Sequence, residues 1–140
     1  MKNLLYLIFV FAFIFASCRD QIYYTGDDVD CYNCYTDFPE EAYIKIEFTT
    51  NNENSNIPIT IYNGLVDKSP IVFDTIADSS PLYVGLPVNE IYTVKAAYFH
   101  NGDSIFAIDN AKVQAFLVTD MCDEDCWIIK HRKYNVRLIQ

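Results

Sequence analysis

Histidine and glycine are scarce in this chain, two and four among 140 residues. His100 sits beside a tight-turn signal and His131 inside a basic run, so neither is placed for nucleophilic or acid–base work. There is no Gly-x-Ser-x-Gly elbow, no His-Glu-x-x-His pair and no phosphate-cradling glycine loop. Acidic pairs are common, but nothing singles out two for general acid–base chemistry. These absences predict a chain that is not an enzyme and carries no cofactor. Basic residues are outnumbered ten to nineteen, for a formal net charge of −9, which makes nucleic acid a poor partner. No apolar run is long enough to span a bilayer; the longest, Leu4 to Phe15, falls short. No helical period, long repeat or low-complexity tract occurs.

What is present is strand-forming. Eleven Tyr and ten Phe are many for this length, and with Ile, Val and Thr they favour extended backbone. Ile44, Ile46 and Phe48 alternate with Lys45, Glu47 and Thr49, a half-buried strand. Ile57, Ile59 and Ile61 alternate with Pro58, Thr60 and Tyr62, and Pro58 suggests a strand start or an edge. Ile71 to Ile76 and Leu82 to Leu86 read as third and fourth strands. Tyr92, Val94, Ala96 and Tyr98 share one face of a fifth. Asn101-Gly102 then gives a hairpin signal, because both residues tolerate positive φ. Ser104 to Ile108 is expected as the sixth strand, Asp109-Asn110 as a turn, and Ala111 to Thr119 as the seventh, alternating through Val113, Ala115 and Leu117. Trp127 to Ile129 and Tyr134 to Leu138 close the chain as a last strand or a broken pair. Seven or eight short strands with regular turns predict an all-β fold, a single antiparallel β-sandwich.

The N-terminus has the layout of an export signal: Lys2, the apolar run Leu4 to Phe15, then Ala16-Ser17-Cys18. Phe15-Ala16-Ser17-Cys18 resembles the lipobox of bacterial lipoproteins, with Phe15 where Leu is commonest. The resemblance implies cleavage before Cys18, lipid on Cys18, and a membrane partner reached through that lipid. Arg19 follows Cys18, where an Asp would in some bacteria retain the protein at the inner membrane. An outer-membrane lipoprotein of a Gram-negative envelope, periplasmic or surface-exposed, is therefore expected; Asp20 is a hint of the acidic export signals some bacteria use. The expected organisation is 1–17 signal peptide, 18–39 lipidated cysteine and polar tether, and 40–140 sandwich.

With Cys18 set aside, four cysteines remain: Cys31-x-x-Cys34 before the first strand and Cys122-x-x-x-Cys126 between the last two. In an exported chain an even count reads first as two disulfides, and pairing between the motifs is preferred because it closes long loops. Trp127 is expected to cover the bridges. Four thiolates holding zinc and a redox pair stay open. Asp27, Asp28 and Asp30 precede one motif, and Asp123, Glu124 and Asp125, with Asp120, surround the other. Brought together they could hold Ca²⁺; as solvated loops they need no ion. Tyr23, Tyr24, Tyr32 and Tyr35 lie outside the alternating strands, available to stack on a glycan or a protein partner or to pack beside the disulfides. Lys130-His131-Arg132-Lys133 is the one basic run, either facing anionic headgroups or exposed at a strand bend.

One stretch carries a second resemblance. Leu86-Pro87-Val88-Asn89-Glu90-Ile91-Tyr92-Thr93-Val94 resembles the Leu-Pro-x-Gly-x-Tyr-x-Val motif of transthyretin-like, carboxypeptidase-regulatory-like domains, with Asn89-Glu90 in place of the glycine. It implies an immunoglobulin-like or prealbumin-like sandwich of the kind that serves as a binding or structural module. The reading reached is a non-catalytic, lipid-anchored module for a glycan or an envelope protein. Its alternatives are a metal-stabilised accessory domain and a thiol–disulfide exchange protein.

Overall fold

The computed structural model describes residues 29–139. After one 3₁₀ turn (Cys31–Asn33) come eight strands: β1 (Glu41–Glu47), β2 (Ile57–Asn63), β3 (Ile71–Ala77), β4 (Leu82–Pro87), β5 (Glu90–His100), β6 (Asp103–Val118), β7 (Cys126–Lys130) and β8 (Lys133–Asn135). They form two sheets, ordered β4-β1-β8 and β3-β2-β5-β6-β7. The arrangement is a two-sheet sandwich of the general immunoglobulin-like or prealbumin-like kind.

Period two places the core. Ile44 and Ile46 of β1, Ile57, Ile59 and Ile61 of β2, and Tyr92, Val94, Ala96 and Tyr98 of β5 are all buried between the sheets. Each parity of a strand faces one side only, so Tyr43 and Lys45 or Thr60 and Lys95 turn outward. Tyr62 departs from this rule. It has outward parity and is buried, because the loop after β2 folds over it and Asp67 accepts its hydroxyl at 2.9 Å.

The sequence expectations need three corrections. Asp109-Asn110 is not a turn: β6 runs unbroken for sixteen residues, paired with all eleven residues of β5. Asp109 instead accepts the backbone N–H of Asn135 at 2.8 Å, linking β6 to β8. Leu117 is only half-buried, and Val118 is the buried residue. There β6 leaves the main core for a second apolar cluster with Cys126 and Ile128. Finally, β8 pairs with β1 in parallel, Lys45 opposite Lys133 and Ile46 opposite Tyr134, while every other strand pair is antiparallel.

Three buried tyrosines tie the layers together through their hydroxyls. Tyr92 donates to the Pro87 carbonyl at 2.9 Å, Tyr134 to the Ala111 carbonyl at 3.2 Å, and Tyr98 to the Val136 carbonyl. Tyr98 also accepts the Thr49 N–H at 3.1 Å. The Tyr92 bond returns five residues to the crossing from β4 to β5, the device immunoglobulin-like sandwiches use at a corner. At that crossing Asn89 has φ +66°, the left-handed conformation that Gly and Asn adopt most readily.

Candidate functional site

Asp30 starts the site. Its carboxylate accepts the Tyr32 N–H at 3.0 Å and a bond from the Asn33 side-chain amide, capping the 3₁₀ turn. Three residues per 3₁₀ turn put positions three apart on one side, so Cys31 and Cys34 point the same way. Tyr35 then forms a bridge to Trp127, exchanging backbone hydrogen bonds of 2.8 and 2.7 Å. That bridge lays residues 31–35 along β7 and brings the two cysteine motifs together.

Cys31 is bonded to Cys122 and Cys34 to Cys126, each with Cα atoms 5.7 Å apart. The pairing is between motifs, spanning 91 and 92 residues. The two bridges are neighbours: the sulfurs of Cys34, Cys122 and Cys126 all lie within 4.8 Å of one another. Cys126 is buried and Cys34 and Cys122 half-buried, packed with Val29, Phe116, Val118 and Ile128. Residues 29–35, on the tether side of the expected boundary, are thus covalently part of the folded unit.

Trp127 does not cover the bridges. Neighbours on a strand face opposite sides, so with Cys126 on the sulfur side Trp127 turns to the main core. Its ring also meets the exposed Phe38 edge-on, with ring centroids 5.0 Å apart.

A concavity of about 590 Å³ beside the sulfurs is lined by Tyr32, Met121, Asp123, Glu124 and Asp125. Asp30 faces a different concavity, of about 420 Å³, with Lys130 and Arg132. Among the described residues the one group placed for shared metal ligation is made of cysteines; Asp30, Asp123, Glu124 and Asp125 do not converge into it. Of the two readings the sequence left open for these acidic residues, a carboxylate cage is not assembled by these four. Asp27, Asp28, Tyr23, Tyr24 and Cys18, the residue expected to carry lipid, lie outside the described residues. Tyr32 is 99% exposed and packs against nothing, whereas Tyr35 is held by its bridge to Trp127.

The sequence reading missed an outward tyrosine pair on the smaller sheet. Tyr43 lies opposite Gly85, and Tyr83 opposite Lys45. Both rings are exposed, 73% and 59%. The Tyr43 ring lies over Gly85, where an added Cβ would meet it at 3.6 Å, an ordinary contact. The alternation Glu41, Tyr43, Lys45, Glu47 carried the signal. Beside the tyrosines Lys45 and Arg137 both reach Glu47, Arg137 at 2.9 Å. The hydrogen bond from Lys45, then the charges of Arg137 and Lys133, hold the Glu47 carboxyl below its ordinary value.

No protein family, curated protein or solved structure matches this chain.

Proposed function

We propose that the chain is a non-catalytic accessory module of the cell envelope, stabilised through its four-cysteine centre. The carrying observation is the convergence of Cys34, Cys122 and Cys126 from motifs some ninety residues apart, with Cys31 bonded into the same cluster. In an oxidising compartment the centre stands as two disulfides. Two equivalents of a dithiol would supply the four electrons and four protons that reduce it. Zinc could then displace the thiol protons. A tetrahedral Zn–S₄ site needs sulfurs about 3.8 Å apart; the bonded pairs would part on reduction, and Cys34, Cys122 and Cys126 already lie within 4.8 Å of one another. Thiol counting and metal analysis test this on protein taken from the envelope and again after reduction with zinc present. The expected results are no free thiol as isolated and one zinc per chain after reduction. Four free thiols that take up no zinc would overturn the reading.

The fully exposed Tyr32, at the concavity beside the sulfurs, favours a second, compatible reading: the module, anchored through lipid on Cys18, binds a glycan or an envelope protein. The lipobox resemblance supports the anchor, and the Leu86 to Val94 resemblance, with Asn89 in glycine's backbone conformation, supports a transthyretin-like binding domain. Cys18→Ala should abolish acyl labelling; persistent labelling would remove the anchor. Affinity capture from detergent-solubilised envelope should lose the ligand in a Tyr32→Ala variant. Unchanged capture would remove Tyr32 from binding.

A further inference from the structure

Cations of this acidic chain gather at the small sheet: Lys45, Lys133 and Arg137 stand at its outer face, and Arg132 lies at the adjoining bend, its carbonyl accepting the Lys45 N–H at 2.7 Å. Lys130 instead shares the sulfur side of β7 with Cys126 and Ile128. The bend from Lys130 to Lys133 joins β7 to β8, with His131 at φ +59° and His131, Arg132 and Lys133 exposed. Parallel pairing of β8 with β1 then sets Lys133 beside Lys45, and Lys45 beside Tyr83. One row across the small sheet therefore reads Tyr83, Lys45, Lys133, flanked by Tyr43. Two carboxylates share this face, Glu41 and Glu47. Lys45 and Arg137 both pair with Glu47, leaving an excess of positive charge. Behind the face stand Asp30, in the adjoining concavity, and Asp109, held by the Asn135 N–H.

We propose that this outer face of the β4-β1-β8 sheet docks on a bilayer surface bearing anionic headgroups. Two observations select that occupant. The first is charge and composition: tyrosine with lysine and arginine is the mixture that settles at headgroup level. The second is where the chain enters the domain. Val29 packs on β7 beside Cys126 and Ile128, and the concavity lined by Asp30, Asn33 and Tyr35 runs from there to Lys130 and Arg132. Val29 is eleven positions along the chain from Cys18, a reach of at most about 36–40 Å. A lipid on Cys18 would keep the basic bend within that distance of its own membrane. The proposal rests on the Cys18 anchor for which membrane is in reach, and on the sheet face alone for the docking itself.

The test is amine footprinting of the lipidated protein in two kinds of vesicle, phosphatidylcholine alone and phosphatidylcholine with phosphatidylglycerol. Each cation at an anionic surface is worth about fivefold in partitioning. Lys45 and Lys133 should therefore be acylated at least about fivefold more slowly on the anionic vesicles. Lys68, in the loop after β2, and Lys112, on the outer face of the other sheet, should be unchanged. Arg132→Glu/Lys133→Glu should restore Lys45 labelling, and so should molar salt, which shortens the screening length to about 3 Å. Equal labelling on both vesicles overturns the proposal. So does protection by a soluble acidic polysaccharide with no vesicle present, which would make the face a glycan site. The anchor is read separately, by acyl labelling of Cys18. If that fails, the unlipidated chain mixed with the same vesicles still decides the docking face.

Discussion

At the scale of single residues, Asn89 has the most specific task. Its backbone takes a left-handed turn, its N–H bonds the Val113 carbonyl at 2.6 Å, and its side-chain oxygen accepts the Ala115 N–H at 3.1 Å. Asn89→Ala loses the side-chain bond and strains the turn, which together cost about 2–3 kcal/mol. Asn89→Gly keeps the turn and should cost about 1 kcal/mol. Chemical denaturation of both variants checks the order; equal losses would mean that φ at this position is not what matters. Adjacent residues of β1 give a second expectation. Ile46 is completely buried and Glu47 is on the outer face. Ile46→Asp should abolish cooperative unfolding by burying an unpaired carboxyl. Glu47→Lys should fold, since its partners Lys45 and Arg137 are at the surface. Circular dichroism melts separate the two, and equal tolerance would refute the strand's facing.

At the scale of elements, the strands a reader could find are those whose inward residues repeat every second position, β1, β2 and β5. The hairpin at Asn101-Gly102 was legible because both residues take positive φ, +53° and +90°. Periodicity cannot say which strands meet, so the parallel β1–β8 pair was not legible. Nor was the continuity of β6, because Asp109 and Asn110 are turn formers in isolation. Their extended conformation is imposed by β5, which pairs along their whole length, and by the Asp109 bond to β8. At the site, the count and compartment of the cysteines made bridges legible. The side Trp127 faces was settled by strand parity, which the reading did not apply to it. The tyrosines that cross between layers bring a pH dependence. Burial raises the phenol pKa of Tyr92, Tyr98 and Tyr134. A phenol held neutral in the fold contributes stability that is complete below the unfolded value of about 10. That contribution is lost as pH rises from there toward the folded values. The protein should therefore lose stability steadily above about pH 10. Tyr134→Phe should cost about 1 kcal/mol at neutral pH and show a shallower alkaline decline. Denaturation midpoints across that range are the check, and an unchanged slope would take Tyr134 out of the effect.

For the whole molecule, the two disulfides are redundant in one respect. Either alone closes a loop of about ninety residues, which in the chain-entropy account contributes about 4–5 kcal/mol. Once it is closed, the second fixes only a small ring between the motifs, about 2–3 kcal/mol. Removing one bridge, as Cys31→Ser/Cys122→Ser or Cys34→Ser/Cys126→Ser, should thus cost less than half of what removing both costs. Urea titrations of the three variants in chelator-treated buffer measure this. Strict additivity would show that the bridges act through local native contacts instead.

The bridges also decide how the domain responds to mechanical load. A pull through residue 29 against the C-terminus crosses at Cys31 directly to Cys122, so β1 to β6 lie outside the line of force. Only β7, β8 and the segment after them can be drawn out while the sulfurs stay bonded. In a single-molecule pulling experiment the oxidised chain should yield a short extension, and added reductant should release roughly 300 Å more, the contour of the sequestered loop. A domain built this way can be tugged without surrendering β1 to β6.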